Sequence, residues 1–263
     1  MNAQYRRPMQ ASHQVVARIG RVLRAVSQHE PDGVTTTAAG VAADLARPTA
    51  HRLLVALQQE GLVDRTPAGL WQLGPETFLL GSAAAARYDV SHLAGASLRR
   101  LSEATGESAF FSARRGDETI CLVREDGSFP IRSHVLHEGI RFPLGVASAG
   151  QVILSYLPER EITEYLDDHD LTERYGATHA RKAVEQRIAE TQRQGYAFNP
   201  GLIVRGSWGI GAAVFDSDES PQWALSLTGI DHRFADDRRP ELGRLLLQEA
   251  HDLSRRIRRF RSQ

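Results

Sequence analysis

Apolar positions recur at helical spacing through the first quarter of the chain and then switch to alternation. Val15, Ile19, Val22 and Val26 mark one stripe on a helix from Gln14 to about His29. Thr35 to Ala43 predicts a short helix whose first N–H groups Thr35, Thr36 or Thr37 can cap, and Asp44-Leu45-Ala46 makes a turn. Ala50, Leu53, Leu54 and Leu57 then stand at i, i+3, i+4 and i+7, a buried stripe on a second helix. Pro48 suits its first turn, where a missing N–H leaves no partner unsatisfied. The opposite face carries Pro48, Arg52, Val55 and Gln59, flanked by Thr49 and His51. Gly61 supplies a left-handed stop, and Leu62 to Arg65 and Leu70 to Leu73 alternate around Thr66-Pro67-Ala68-Gly69 as a hairpin. Three helices followed by a hairpin make a winged helix-turn-helix over residues 14–74.

Such a unit places its second helix in the major groove of DNA. Arg52 then suits guanine, Thr49 a phosphate oxygen, and Arg65 on the hairpin a flanking phosphate, with Arg47, Pro48 and His51 completing the candidate surface. The helix taken alone fits an ordinary solvated surface helix equally well. The helices and hairpin around it favour the DNA reading.

Beyond Gly74 the pattern changes. Pro75 to Arg87 predicts a linker helix, within residues 75–89, and a further helix runs from a Ser91 cap to Thr105. Ser108 to Ala113 and Thr119 to Arg124 alternate around Arg115-Gly116-Asp117 as a hairpin, and Pro130 to Leu136 is expected as a third strand. Helices are expected at Ala149 to Tyr156, Glu159 to Asp168, Ala180 to Gln194 and Asp237 to about Phe260, and strands at Gly209 to Phe215 and Trp223 to Ile230. The fold class is therefore α+β: an all-α winged unit with a β wing, a linker helix, and an α+β domain over residues 90–263. Residues 1–13 are expected as a disordered arm.

Length and charge adjust this picture only in part. A chain of 263 residues suits two modest domains. A net charge of +0 gives no overall nucleic-acid signature, although Arg18, Arg21, Arg24, Arg47, Arg52 and Arg65 gather in the first quarter. The single cysteine, Cys121, excludes an internal disulfide and fits a cytoplasmic protein, and no apolar run is long enough to span a membrane. An enzyme reading rests on His134, His137 and Glu138 as metal ligands, but their spacing lacks a helical His-Glu-x-x-His pattern. No Gly-x-Ser-x-Gly elbow surrounds Ser148, and the glycines from Gly206 to Gly211 lack dinucleotide-binding spacing. No metal and no cofactor are expected. A third reading makes the winged unit a protein-interaction module.

Ala50-His51-Arg52-Leu53-Leu54, Glu60-Gly61-Leu62-Val63 and Trp71-Gln72-Leu73-Gly74 occur in the order and spacing of IclR-type transcriptional regulators. The later segments Leu101 to Glu107, Gly139 to Leu144 and Ala147 to Gln151 extend the resemblance through most of the chain. The resemblance implies a GAF-like effector domain and a DNA-binding homodimer or tetramer controlled by a small organic acid. Carried over by position, the implied effector contacts are Ile131, His134, Ser148, Ala149, Asn199, Gly209, Ser226 and Thr228. Asn199 stands where many relatives carry Asp, and Leu202 where they commonly carry Glu, so the implied pocket is less acidic and suits a carboxylate or phenolic acid.

Overall fold

In the computed structural model, which describes residues 6–88, 90–131, 133 and 135–261, the first apolar stripe lies on helix α1 (Arg6–Ser27). It buries Val22 and Val26 completely and leaves Val15 and Val16 exposed. The helix begins well before Gln14, so the expected disordered arm is helical over residues 6–13. Pro8 permits this because it falls in the first turn, whose N–H groups have no partners within the helix. Residues 1–5 lie outside the described residues.

Helix α2 (Thr36–Ala42) is capped by Thr35, whose hydroxyl accepts from the Ala38 N–H at 3.2 Å. Asp44, at φ 54°, turns the chain into α3 (Arg47–Gln59). The two helices cross closely at Gly40, where a Cβ would sit 3.0 Å from Leu45 O. Ala50, Leu54 and Leu57 are buried, as the stripe requires. Gly61, at φ 67°, closes α3 with the Leu62 N–H donating back to Leu57 O at 2.9 Å. Strands β1 (Val63–Arg65) and β2 (Trp71–Leu73) form the wing, pairing Val63 with Leu73 and Arg65 with Trp71. Trp71 is fully buried under the hairpin, and its indole N–H donates to Thr36 Oγ1 at 2.9 Å, pinning wing to helix. Helix α4 (Pro75–Tyr88) ends this compact unit, Met1–Tyr88.

The second unit, Asp89–Gln263, opens with α5 (Val90–Thr105) and the hairpin β3 (Ser108–Arg115) and β4 (Glu118–Glu125). There follow β5 (Arg141–Pro143), α6 (Ser148–Ser155), α7 (Glu159–Asp168), the one-turn α8 (Thr172–Tyr175) and α9 (Arg181–Gln194). The chain closes with β6 (Ala197–Pro200), β7 (Ser207–Phe215), β8 (Pro221–Ile230) and α10 (Arg239–Arg261). The strands form one antiparallel sheet in the order β5-β4-β3-β8-β7-β6.

The expected third strand over residues 130–136 is absent among its described positions. The edge of β4 is taken instead by β5 and the residues before it: Cys121 exchanges backbone hydrogen bonds with Gly139 and Ile140, and Arg141 faces Ile120. No free edge remains for a further strand beside that part of β4.

Alternation assigns the sheet two faces. Ala109, Phe111, Ile210, Ala212, Leu225 and Leu227 pack under α5 and α10. On the other face, Ala213 and Ala224 join a core built on α6, α7 and α9, while Phe110, Cys121 and Leu136 form a smaller cluster. Ser108, Ser226, Thr228, Gly209 and Gly211 share that second face between the two clusters. Buried Glu107 locks the start of β3 to the chain after β8, accepting from Arg233 and Arg238, each at 2.7 Å.

Candidate functional site

Two places in the molecule gather the chemistry the sequence singles out. In the first unit, the N-terminal half of α3 turns Arg47, Pro48, His51 and Arg52 toward solvent around one open depression, all four exposed, with Thr49 half-buried beside them. Among the described residues no hydrogen bond or ion pair engages the side chains of Arg47, His51 or Arg52, so their donors are free for an outside partner. Arg65 sits on the wing with its guanidinium 5.4 Å from the Trp71 ring centroid and its Nε donating to Gly69 O at 3.3 Å. One tether to the wing turn orients it and leaves its other donors exposed.

In the second unit, a small cavity opens against the polar strip of the sheet. Val135, Leu136, Ala147, Ser148, Asn199, Ile203, Ser207, Trp208, Gly209 and Thr228 line it. The strip exists because α6 crosses β7 at contact distance: a Cβ on Gly211 would come within 2.7 Å of Ser148 O. A Cβ on Gly209 would lie 3.4 Å from both Ser148 Oγ and Thr228 Oγ1. Gly211 lets the first turn of α6 down onto the sheet, and Gly209 keeps the space between the two hydroxyls open. That turn has no side-chain cap, since Ala147 occupies the cap position. Ser226 is fully buried next along the same face, and its hydroxyl has no hydrogen-bond partner. The cavity volume is about 20 Å³, room for roughly one water.

Among the described residues no lining side chain is charged. Asn199 is committed at both ends of its amide: Nδ2 donates to Val146 O at 2.8 Å and Oδ1 accepts from the Leu202 N–H at 2.9 Å. It therefore pins the turn before α6 to the chain after β6. Behind the same turn His179 is buried, with Nδ1 against Tyr175 O at 3.1 Å. Burial, aided by the nearby Arg187 charge and opposed by that hydrogen bond, holds its pKa below the ordinary histidine value.

Comparison with known proteins assigns both units to one family. The family described as "IclR helix-turn-helix domain" matches residues 15–67, and "Bacterial transcriptional regulator IclR C-terminal" matches residues 82–255. The chain belongs to the IclR family. It is a DNA-binding transcriptional regulator, and the enzyme reading falls with that assignment, because the family is one of regulators. It is 27% identical over 218 residues to the acetate operon repressor of Salmonella typhimurium, covering 81% of this chain and 78% of that one. It is 32% identical to the regulator TtgV of Pseudomonas putida over 70% of each chain. In fold it resembles an IclR regulator from Alicyclobacillus acidocaldarius, with TM-score 0.72 and 24% identity over 91% of this chain and 96% of that one. An IclR homologue from Microbacterium hydrocarbonoxydans, crystallised with 4-hydroxybenzoate, superposes with TM-score 0.71 at 22% identity, covering 91% and 98%.

Of the effector contacts that IclR resemblance implied, the structure brings Ser148, Asn199, Gly209 and Thr228 to one cavity. Ser226 lies deeper on the same face, and Ala149 is buried in the first turn of α6 outside the lining. Ile131 is 60% exposed and does not line the cavity, a correction that follows from the missing third strand. His134 lies outside the described residues. Sequence reasoning missed Val135, Leu136, Ala147, Ile203 and Ser207; of these, Ala147 carried a signal in its place at the head of the small-residue turn, and Ser207 in its period-two spacing with Gly209 and Gly211. Trp208 borders the cavity, but its ring packs edge-on against Phe198 with centroids 5.3 Å apart, joining the core under α5 and α10. Among the described residues no helix is long and apolar enough to cross a membrane.

Proposed function

We propose that this IclR-family regulator reads an operator half-site with Arg47, Pro48, Thr49, His51 and Arg52, steadied by Arg65, and that a small organic acid in the second unit sets its operator affinity. The acid's carboxylate receives the free N–H groups at the start of α6, with the Ser148, Thr228 and Ser226 hydroxyls donating beside them. One observation carries this reading: an uncapped helix start meets a strip of hydroxyls in a cavity whose lining has no carboxylate to repel an anion. The apolar wall of Val135, Leu136 and Ile203 favours a monocarboxylate with an apolar or aromatic body over a di-acid. Aromatic monocarboxylates come first for testing, because the Microbacterium homologue is complexed with 4-hydroxybenzoate.

The volume at hand is far below the several hundred cubic ångströms, about 300 or more, of ligand-bearing pockets. The acid therefore enlarges the cavity as it binds, which couples occupancy to the position of α6. The regulator acts as a homodimer or tetramer, consistent with one half-site per protomer. Helix α4 supports this: Phe78, Leu79 and Leu80 are 74%, 57% and 56% exposed within a single chain, an apolar face that calls for a cover. Thermal-shift screening of monocarboxylates, followed by titration of any stabilising acid, tests the reading. An acid that raises the melting temperature of wild type but not of a Gly209→Val variant supports it, and stabilisation that survives Gly209→Val rejects this cavity as the site.

A further inference from the structure

The turn that launches α6 is gripped from behind at three successive carbonyls. Leu144 O accepts from the Tyr165 hydroxyl at 2.7 Å, Gly145 O from Arg187 Nη2 at 3.5 Å, and Val146 O from Asn199 Nδ2 at 2.8 Å. Arg187 is the only cation among the three. Its Nη1 donates to Thr178 O at 2.7 Å, its Nε is buried without a hydrogen bond, and no carboxylate among the described residues forms an ion pair with it. Burial lowers its pKa from the ordinary arginine value, and no acid offsets that penalty. The other polar side chains here include Tyr165, Tyr175 and His179; the Asp117 carboxylate acts on Tyr165 and lies against His169 rather than pairing with Arg187, and the Arg187 charge itself helps to keep His179 neutral.

Arg187 is half-buried, its guanidinium held by backbone carbonyls alone, so among the described residues its charge is left unneutralised and free to act on its surroundings. Gly145 lies three residues from Ser148, at most about 10 Å along the chain. Over that distance the charge of a half-buried group is screened less than that of a fully exposed one. Among the described residues the cavity lining has no charge of its own, and Arg187 places a positive charge on the turn behind this wall.

We propose that Arg187 is a specificity-determining positioning residue: acting from behind the Gly145–Ser148 turn, without touching the ligand, it makes the cavity prefer anions. The inference rests on the cavity being the acid site, and it makes a prediction that needs no acid. Ser148→Cys places a thiol on the cavity wall, while native Cys121, buried with its thiol pushed up to about 12, stays silent near neutral pH. The thiolate fraction is read from its ultraviolet absorbance in the folded full chain, with Arg187 present or replaced by Lys, Gln or Met. Arg187→Gln and Arg187→Met lower the thiolate fraction at neutral pH about three- to tenfold, and Arg187→Lys restores it. The methionine variant keeps the packing of the side-chain stem if the glutamine variant does not fold. A thiol titration that neither neutral variant changes, or that lysine fails to restore, overturns the proposal. A cavity that binds no acid, with the thiol responding as described, instead sinks the ligand reading and leaves the field of Arg187 established.

Discussion

The two candidate surfaces of this regulator are built on opposite plans. On α3 the chemistry points outward: Arg47, His51 and Arg52 are exposed and unengaged, and the core beneath them rests on other residues, Ala50, Leu54, Leu57 and Trp71. Around the cavity of the second unit the chemistry points inward. Ser148, Thr228 and Asn199 are each at most 6% exposed, Ser226 is fully buried, and Gly211 is needed for α6 to reach the sheet. A surface that must meet a partner as large as DNA can keep recognition separate from stability. The proposed acid site sits inside the packing, where a substitution alters both.

The largest expected effect lies on the outward side. Arg52→Glu weakens operator binding at least about a hundredfold, as charge reversal beside phosphates and loss of a base contact require, while the melting temperature stays unchanged. Fluorescence anisotropy and calorimetry on the same sample decide it; a loss of binding accompanied by unfolding would blur the distinction between the two plans. On the inward side, Gly211→Ala drives a methyl group into the Ser148 backbone and costs about 1–3 kcal/mol, or roughly 2–12 °C in the melting of the second unit, together with weaker acid binding. A variant that melts and binds like wild type would show that α6 is free to move off the sheet at no cost.

Ser226→Ala sharpens the contrast, because it separates what the inward site otherwise joins. The Ser226 hydroxyl is buried without a partner, so its removal leaves stability unchanged or raises it by up to about 1 kcal/mol. If the hydroxyl is held for an acid, binding of that acid falls about tenfold. Unchanged acid affinity would return Ser226 to packing alone.

The smallest effect concerns pH. In the unfolded chain His179 takes up its proton near the ordinary value of 6.5, whereas burial keeps the folded ring neutral to lower pH. Its contribution is therefore fully present above 6.5 and declines as the pH falls through that value toward the depressed folded one. The melting temperature of wild type should drop faster over this range than that of His179→Gln, and parallel curves would show that His179 does not sense pH in the folded unit.

The same contrast explains how much of the molecule the sequence made legible. The outward unit is written in local signals: the Ala50 to Leu57 stripe, the Thr35 cap, the Gly61 stop and the wing turn each report their own structure, and all are found where the pattern put them. The inward site is written in long-range pairing. Residues 130–136 alternate well enough for a strand, yet the β4 edge they needed is held by Gly139 to Pro143, a competition that periodicity cannot see. Strand β6 went unnoticed because it is four residues long and ends in Pro200. Helix α1 ran past its expected start because the apolar stripe begins later than the helix does. Family resemblance supplied Ser148, Gly209 and Thr228, but nothing local in the sequence ties Arg187 or His179 to the turn before Ser148.

The central claim is that acid occupancy of the inward site and operator binding by the outward one are linked. Linkage is reciprocal, so a single set of titrations tests it from both ends. The regulator is titrated with operator DNA in the absence and in the saturating presence of an acid that stabilises the second unit, and with that acid in the absence and presence of saturating operator. The account predicts that the acid changes operator affinity by about fivefold or more and that the operator changes acid affinity by the same factor. An acid that binds the cavity and leaves operator affinity unaltered contradicts it.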